Sequence, residues 1–255
     1  MTNTSANAAT INTLPQLSIV IPTYNSESRI VALLNATVDL LNDTNSHGEI
    51  IVVDDHSTDQ TWQVLTNYKP EKYVFIKRIR LAQNNGQYAS TVAGINQAAG
   101  LHIITIDDDF SPPPAELVKL LVKQGLAPLI YAILRDNNKN IFRRMASSIM
   151  HFFISVTTGN KHLEMGSSCR LFSQTLWGET KKTLSRPEKL DIELIKNAKS
   201  NILFTPVVST SRNSSHTILR LFKVAITIAL PQLSKQSKTD TLWQQNIIIE
   251  HTLVT

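Results

Sequence analysis

The sequence predicts an α/β fold in which a mostly parallel central sheet carries helices on both faces. Continuous apolar runs of strand length recur along its first half: LSIVIP at Leu17–Pro22, EIIVVD at Glu49–Asp54 and HIITID at His102–Asp107. Between them the apolar residues change to helical spacing. Strands alternating with helices in this way imply βαβ units, and strands apolar throughout are those covered on both faces. The composition agrees, since 255 residues with 42% hydrophobic and 18% charged describe one large globular domain with a real core.

Taken in order, the first strand is followed by Ile30, Leu33, Leu34, Thr37 and Leu41 at helical spacing, with Asn25 or Ser26 placed to cap the start. Asp59 suits the cap of the helix after Glu49–Asp54. Tyr73–Ile79 reads as a third, more amphipathic strand, Gln87–Ala99 as a helix ending at Gly100, and His102–Asp107 as another buried strand. Pro112–Pro114 open a helix with Leu117, Leu120 and Leu121 on one face and Lys119 and Lys123 on the other. From about residue 140 the pattern changes. Phe142, Met145, Ile149 and Val156 mark an amphipathic helix beginning at Arg143–Arg144. A short strand near Ser168–Phe172, a helix near Asp191–Ala198 and a strand at Ile202–Val208 follow.

Three regions are expected: a disordered lead-in at 1–16, a catalytic domain at 17–210, and an amphipathic helix and tail at 211–255. The start has no basic or apolar segment of a secretory signal. Within the tail, Ile218–Leu230 is nearly all apolar but has 13 residues, short of the roughly 20 that cross a bilayer. With Arg212, Arg220 and Lys223 about it, this stretch suits either a helix lying among lipid headgroups or a core helix. The tail ends in a short apolar strand-like piece without an evident purpose. Cys169 is the sole cysteine, so an internal disulfide is impossible. The net charge of +5 suits an anionic partner.

The chemistry gathers where strands end, because ligands of open α/β sheets sit beyond the carboxyl ends of the strands. Asp107, Asp108 and Asp109 follow a buried strand directly, and adjacent carboxylates repel unless a cation or hydrogen-bond donors neutralise them. Mg²⁺ and Mn²⁺ take oxygen ligands and bridge carboxylate to phosphate. In an extended segment Asp107 and Asp109 point one way and Asp108 the other, which makes Asp107 a partner of ribose or metal and Asp109 a direct metal ligand. A helix cap before Pro112 is the plainer reading, but a cap needs one carboxylate. Asp54 and Asp55 end the second strand in the same manner, where a carboxylate can accept from a base N–H or a ribose hydroxyl. Pro22–Asn25 offers an aromatic face for a base. Neither GxGxxG nor GxxxxGK[ST] occurs, which disfavours a dinucleotide dehydrogenase and a P-loop NTPase.

The ordered segments LSIVIPTYNSESRI, EIIVVDDHSTDQT, NNGQYASTVAGINQAAG and IITIDDDFSPPPAEL resemble family 2 glycosyltransferases. More narrowly they are similar to the dolichol-phosphate mannose synthase and undecaprenyl-phosphate glycosyltransferase branch. The resemblance spans Leu17 to about Thr227 and weakens after residue 130. It implies a nucleotide-diphospho-sugar transferase (GT-A type) fold and transfer with inversion at the anomeric carbon. By position it implies that Pro22, Tyr24 and Glu27 line the nucleotide pocket and Asp54 reads base or ribose. Asp107, Asp108 and Asp109 match the acidic motif, with Mg²⁺ or Mn²⁺ at Asp107 and Asp109. Ser111 stands where relatives often carry Gln. Arg135 and Arg143 or Arg144 resemble arginines that hold the donor diphosphate or the acceptor phosphate. Met165–Ser173 resembles the acceptor-side segment, with Cys169 as a small core residue. Arg170 is then a phosphate ligand or a structural ion pair. Arg212 with Ser214 and Ser215 matches the membrane-proximal basic motif loosely.

The expected partners are a nucleotide-sugar donor, a polyprenyl-phosphate or glycan acceptor, and the cytoplasmic face of a membrane, with a separate anchoring subunit and no nucleic acid. A lipid monophosphate, with a second pKa of about 6, needs no general base. A sugar hydroxyl needs a carboxylate within reach; the late Glu-Asp pair of polysaccharide-elongating relatives is missing, and Asp191 and Glu193 are its nearest substitutes. The rivals are transfer to a glycan hydroxyl and a non-catalytic sugar-nucleotide-binding relative.

Overall fold

A computed structural model describes residues 15–44, 46–72, 74–109, 111–135, 168–199, 201–208 and 249–254. At its centre lies β1 (Leu17–Thr23), buried along its whole length. Such a strand can satisfy its backbone only between two neighbours. These are β2 (Gly48–Asp54) and β4 (His102–Thr105), both parallel to it. β3 (Phe75–Leu81) continues the parallel set beyond β2. Beyond β4 lie β6 (Arg170–Ser173), β5 (Leu129–Arg135) and β7 (Ile202–Val208), and β8 (Ile249–Val254) joins β3 at the other edge. The order is β7-β5-β6-β4-β1-β2-β3-β8. Among the described residues β6 and β8 run antiparallel to the rest, so the sheet is mixed and mostly parallel, as expected.

Alternation along the strands sends side chains to two cores. Ile19, Ile21, Ile50 and Val52 meet α1 (Ile30–Asp43), α2 (Thr61–Asn67) and α4 (Val118–Leu121), the last preceded by a 3₁₀ turn at Pro114–Leu117. Val20, Ile51, Val53 and Phe172 meet α3 (Gln87–Asn96), α5 (Gln174–Thr183) and α6 (Leu190–Asn197). Ile30, Leu33 and Leu34 of α1 are fully buried, and each such side chain contributes about 2 kcal/mol of transfer free energy. Gly94 lets α3 lie close on β1: a Cβ there would stand 2.5 Å from Val20 Cγ1 and 3.0 Å from Val53 Cγ2.

The predicted strand at Ile202–Val208 is found with those bounds, and the first two strands are each one residue longer than expected. α1 begins four residues after Ser26, which closes the turn with its carbonyl, accepting from Arg29 N at 3.0 Å and Ile30 N at 2.9 Å. Its hydroxyl is engaged elsewhere, so it is no side-chain cap. β5 and α5 were not anticipated. The run LIYAIL has no period that separates strand from buried helix, whereas α5 did carry a signal, Ser173 capping Leu176 N at 3.1 Å. The strand-like piece near the end of the chain is β8, which covers the β3 edge. The predicted helices at Phe142–Val156 and Ile218–Leu230 lie outside the described residues. Among the described residues no helix is long and apolar enough to cross a membrane.

Candidate active site at the carboxyl ends of the strands

Register brings three loops to one rim. Thr23 is level with Asp54, Asp55 N donates to Thr23 O at 2.9 Å, and Ile106 N donates to Val20 O at 3.1 Å. The chain steps outward from β1 to β2 and β3, then returns to place β4 on the other side of β1. The rim at this junction is a topological switch point, the place where open α/β sheets bind ligands.

The loops after β1 and β2 are laced together by polar contacts. Asn25, left-handed at φ 50°, accepts from Thr58 N at 2.9 Å and donates its own N–H to Ser57 Oγ at 3.0 Å. Ser26 N donates to Thr61 Oγ1 at 2.7 Å. Glu27 accepts from Gln60 N at 2.8 Å, which engages its carboxylate at the start of α2, and Glu27 N donates to Asp59 at 3.3 Å. Asp59 also accepts from Thr61 N at 2.9 Å, engaging the first N–H of α2 from one position ahead of the N-cap, Gln60, which has no side-chain cap. Burial works against the Asp59 charge, but the hydrogen bonds from Thr61 and Glu27 outweigh it and hold its carboxyl below the usual range. Pro22 is buried beside Val53, and Tyr24 stands exposed at the rim.

The three consecutive carboxylates have different surroundings. Asp108 accepts from Thr23 Oγ1 at 2.9 Å, from Tyr24 N at 3.2 Å and from Ser26 Oγ, and pairs with Arg29 at 3.3 Å. It ties the β4 loop to the β1 loop. Asp107 turns to the other side, accepting from Gln87 Nε2 and from Ser168 Oγ at 2.5 Å. Asp109 is exposed and accepts from Ser111 N at 3.0 Å. Gln87, Ser168 and Arg29 were not singled out in the sequence; nothing in their spacing marks them, because each meets its carboxylate from a distant part of the chain.

Asp54 is fully buried. Its Oδ1 accepts from Ser57 N at 3.2 Å and from Ser57 Oγ, while Oδ2 has no hydrogen-bond partner and lies 3.6 Å from Arg80 Nε. Burial is the largest influence and raises its pKa, against the lowering by Ser57 and Arg80. Oδ2 is enclosed beside Arg80 and is the Asp54 oxygen without a hydrogen bond of its own. Asp55 instead grips the start of α3, accepting from Asn85 N and Gly86 N at 2.8 Å each.

Arg170 requires a correction. Of its two readings the structure selects the ion pair: its guanidinium is 2% exposed and donates to Asp191, which also accepts from Tyr131 Oη at 2.7 Å. Burial opposes the charge, but Asp191 prevails and keeps Arg170 protonated. A cation committed inside the core is not presented to a phosphate. Cys169 is fully buried and burial pushes its thiol up, as suits a core residue. Arg135 closes β5 at the same rim. Arg143, Arg144 and Arg212 lie outside the described residues.

The family model described as Glycosyl transferase family 2 matches residues 18–178, and the chain belongs to that family. Among curated relatives, the chain is similar to the undecaprenyl-phosphate 4-deoxy-4-formamido-L-arabinose transferase of Pectobacterium carotovorum subsp. carotovorum (strain PC1). The two are 31% identical over 165 residues, 64% of this chain and 50% of that protein. The protein of the same description from Salmonella choleraesuis (strain SC-B67) is 29% identical over 164 residues, again 64% and 50%. The chain thus spans about half the length of the curated relatives it matches. Among solved structures, glucosyl-3-phosphoglycerate synthase from Mycobacterium tuberculosis, in complex with Mn²⁺, uridine diphosphate and glucosyl-3-phosphoglycerate, superposes with a TM-score of 0.63 at 15% identity, covering 88% of this chain and 82% of that one. Mannosyl-3-phosphoglycerate synthase from Rubrobacter xylanophilus gives 0.60 at 14%, covering 88% and 77%. These likenesses show the fold, which is the GT-A type.

Proposed function

We propose that this protein transfers a sugar, with inversion at the anomeric carbon, from a nucleotide-diphospho-sugar to a polyprenyl phosphate. The observation that carries the reading is the convergence of Asp54, Asp107 and Asp109 on one rim by the register of β1, β2 and β4. Asp54 accepts from the base or ribose, Tyr24 offers its ring to the base, and Pro22 and Asp108 shape the loop between them. Glu27 supports that loop from the α2 side.

The donor set suits Mg²⁺ or Mn²⁺. Among the described residues no group of three His, Cys, Asp or Glu forms a metal cage. A hard cation bound together with phosphates needs only one or two protein carboxylates. Asp107 and Asp109 would hold it, with Ser111, whose N–H donates to Asp109, as a further oxygen donor. When bound, it supplies positive charge against the departing diphosphate. The structural neighbour in complex with Mn²⁺ and uridine diphosphate, and the relatives named for undecaprenyl phosphate, support this reading. Arg135 and Arg143 or Arg144 are the proposed partners of the phosphates.

The acceptor follows from what is committed elsewhere. Asp191 receives Tyr131 and Arg170, and Glu193 is buried and pairs with Lys196 at 2.8 Å. Neither offers a general base to a sugar hydroxyl, whereas a lipid monophosphate is already ionised near neutral pH. Such an acceptor places the protein at a membrane surface, on the side where nucleotide sugars are made.

The test supplies labelled UDP-, GDP- and dTDP-sugars with Mn²⁺ or Mg²⁺, with and without undecaprenyl or dolichyl phosphate. Label extractable into chloroform, abolished by EDTA, is the expected result. Donor binding without a lipid product would overturn the acceptor assignment, and no donor binding would overturn the function.

A further inference from the structure

Asp107 is held from two sides. Its Oδ1 accepts from the Gln87 amide and its Oδ2 from Ser168 Oγ at 2.5 Å. Both donors are themselves anchored. Gln87 is the first residue of α3, and the two N–H groups ahead of it, of Asn85 and Gly86, are gripped by Asp55. Gly86 turns the chain into the helix at φ 86°, a conformation that strains any other side chain. Ser168 is fixed through its carbonyl, which accepts from Thr105 Oγ1 at 2.5 Å, and Thr105 is the last residue of β4. The start of α3 and the entry to β6 therefore converge on one carboxylate.

A carboxylate offers about four lone-pair sites. Two neutral donors, one on each oxygen, set the plane of the group without themselves removing its charge. We infer that Gln87 and Ser168 are positioning residues for Asp107, orienting its carboxylate toward a divalent cation carried in with a nucleoside diphosphate. The inference rests on the proposed role of Asp107 as a ligand. It adds what makes that carboxylate a preorganised one: a glutamine from the segment after β3 and a serine from the segment before β6. Outer contacts of this kind change metal affinity by about 10- to 100-fold when removed.

The test measures Mn²⁺ binding to the full chain in the presence of UDP, GDP or dTDP in turn, read from the electron paramagnetic resonance signal of free Mn²⁺. Gln87→Ala and Ser168→Ala are each expected to weaken Mn²⁺ binding about tenfold or more. Each variant loses one hydrogen bond to a charged group, so its thermal midpoint is expected to fall by about 3–12 °C, and binding is measured well below that midpoint. Ser168→Thr, which keeps the hydroxyl, is expected to retain the affinity. Asp107→Asn is the reference. Weakened binding in Asp107→Asn, with no change in Gln87→Ala and Ser168→Ala, would overturn the positioning role and leave the proposed function standing. No change in all three, or no Mn²⁺ binding with any nucleotide, would remove Asp107 as a ligand and the inference with it. Affinity lost only in step with the thermal midpoint would make the two contacts structural and overturn the inference.

Discussion

Asp108 and Asp109 are adjacent carboxylates, and the structure gives them separable consequences. In Asp108→Ala the hydroxyls of Thr23 and Ser26, the Tyr24 N–H and the Arg29 guanidinium lose their shared acceptor. A hydrogen bond to a charged group is worth about 1.5–3 kcal/mol net. Tyr24 N lies where water can replace the carboxylate. Arg29 is 41% exposed at its side chain, so screening limits the ion pair to about 0.5 kcal/mol. Both hydroxyl bonds are only part-buried, so the lower end of that range applies and together they set the loss, about 3 kcal/mol in all. For a chain of this length each kcal/mol moves the midpoint by about 2–4 °C, so a fall of about 6–12 °C is expected. Asp109→Ala removes a part-buried bond from Ser111 N, costing about 1.5 kcal/mol, while turnover falls about a hundredfold or more. Thermal unfolding by fluorimetry, beside the labelled-transfer assay, reads both quantities. As a check on the contacts, Ser26→Ala should add little in the Asp108→Ala background. An Asp108→Ala midpoint equal to that of Asp109→Ala would refute the assignment of Asp108 as the tie between the two loops.

Other outcomes follow from the same contacts. Asp59→Ala should cost about 1 kcal/mol at neutral pH, the net value of the exposed and part-buried hydrogen bonds it accepts from Thr61 and Glu27. Because the folded pKa of Asp59 is depressed, that stability is present above its unfolded pKa and lost as pH falls through the folded one. The difference between the two proteins in urea unfolding should therefore shrink below about pH 4. The Cys169 thiol should resist Ellman's reagent in the native protein and react fully, one per chain, in denaturant; rapid native reaction would contradict its burial. Gly94→Ala should destabilise by about 1–3 kcal/mol despite alanine's helix preference, because its Cβ meets Val20 and Val53 across the α3–β1 contact. A neutral or stabilising result in the same urea measurement would show that α3 can lift off the sheet at little cost.

What the sequence by itself determined follows from burial and local chemistry. Leu17–Thr23 and Gly48–Asp54 were legible because uninterrupted apolar runs mark strands shielded on both faces, and the aspartates after the second and fourth strands marked the rim. Four ordered motifs were enough to indicate the family. Partnership across long separations was left to the tertiary structure. Periodicity reports that a residue is covered but not by what, so β5 was missed and β8 had no assigned purpose until β3 supplied its edge. The same holds for charge. Three aspartates in a row read as one acidic motif. The fold turns Asp108 to Arg29, 79 positions away, and Asp107 to Gln87 and Ser168, 20 and 61 positions away. Arg170 looked equally suited to a phosphate or to an ion pair, and it was α6 that delivered Asp191 to it. A residue's type limits the chemistry it can do, but its protonation, orientation and availability depend on neighbours that only chain folding brings within a few ångströms.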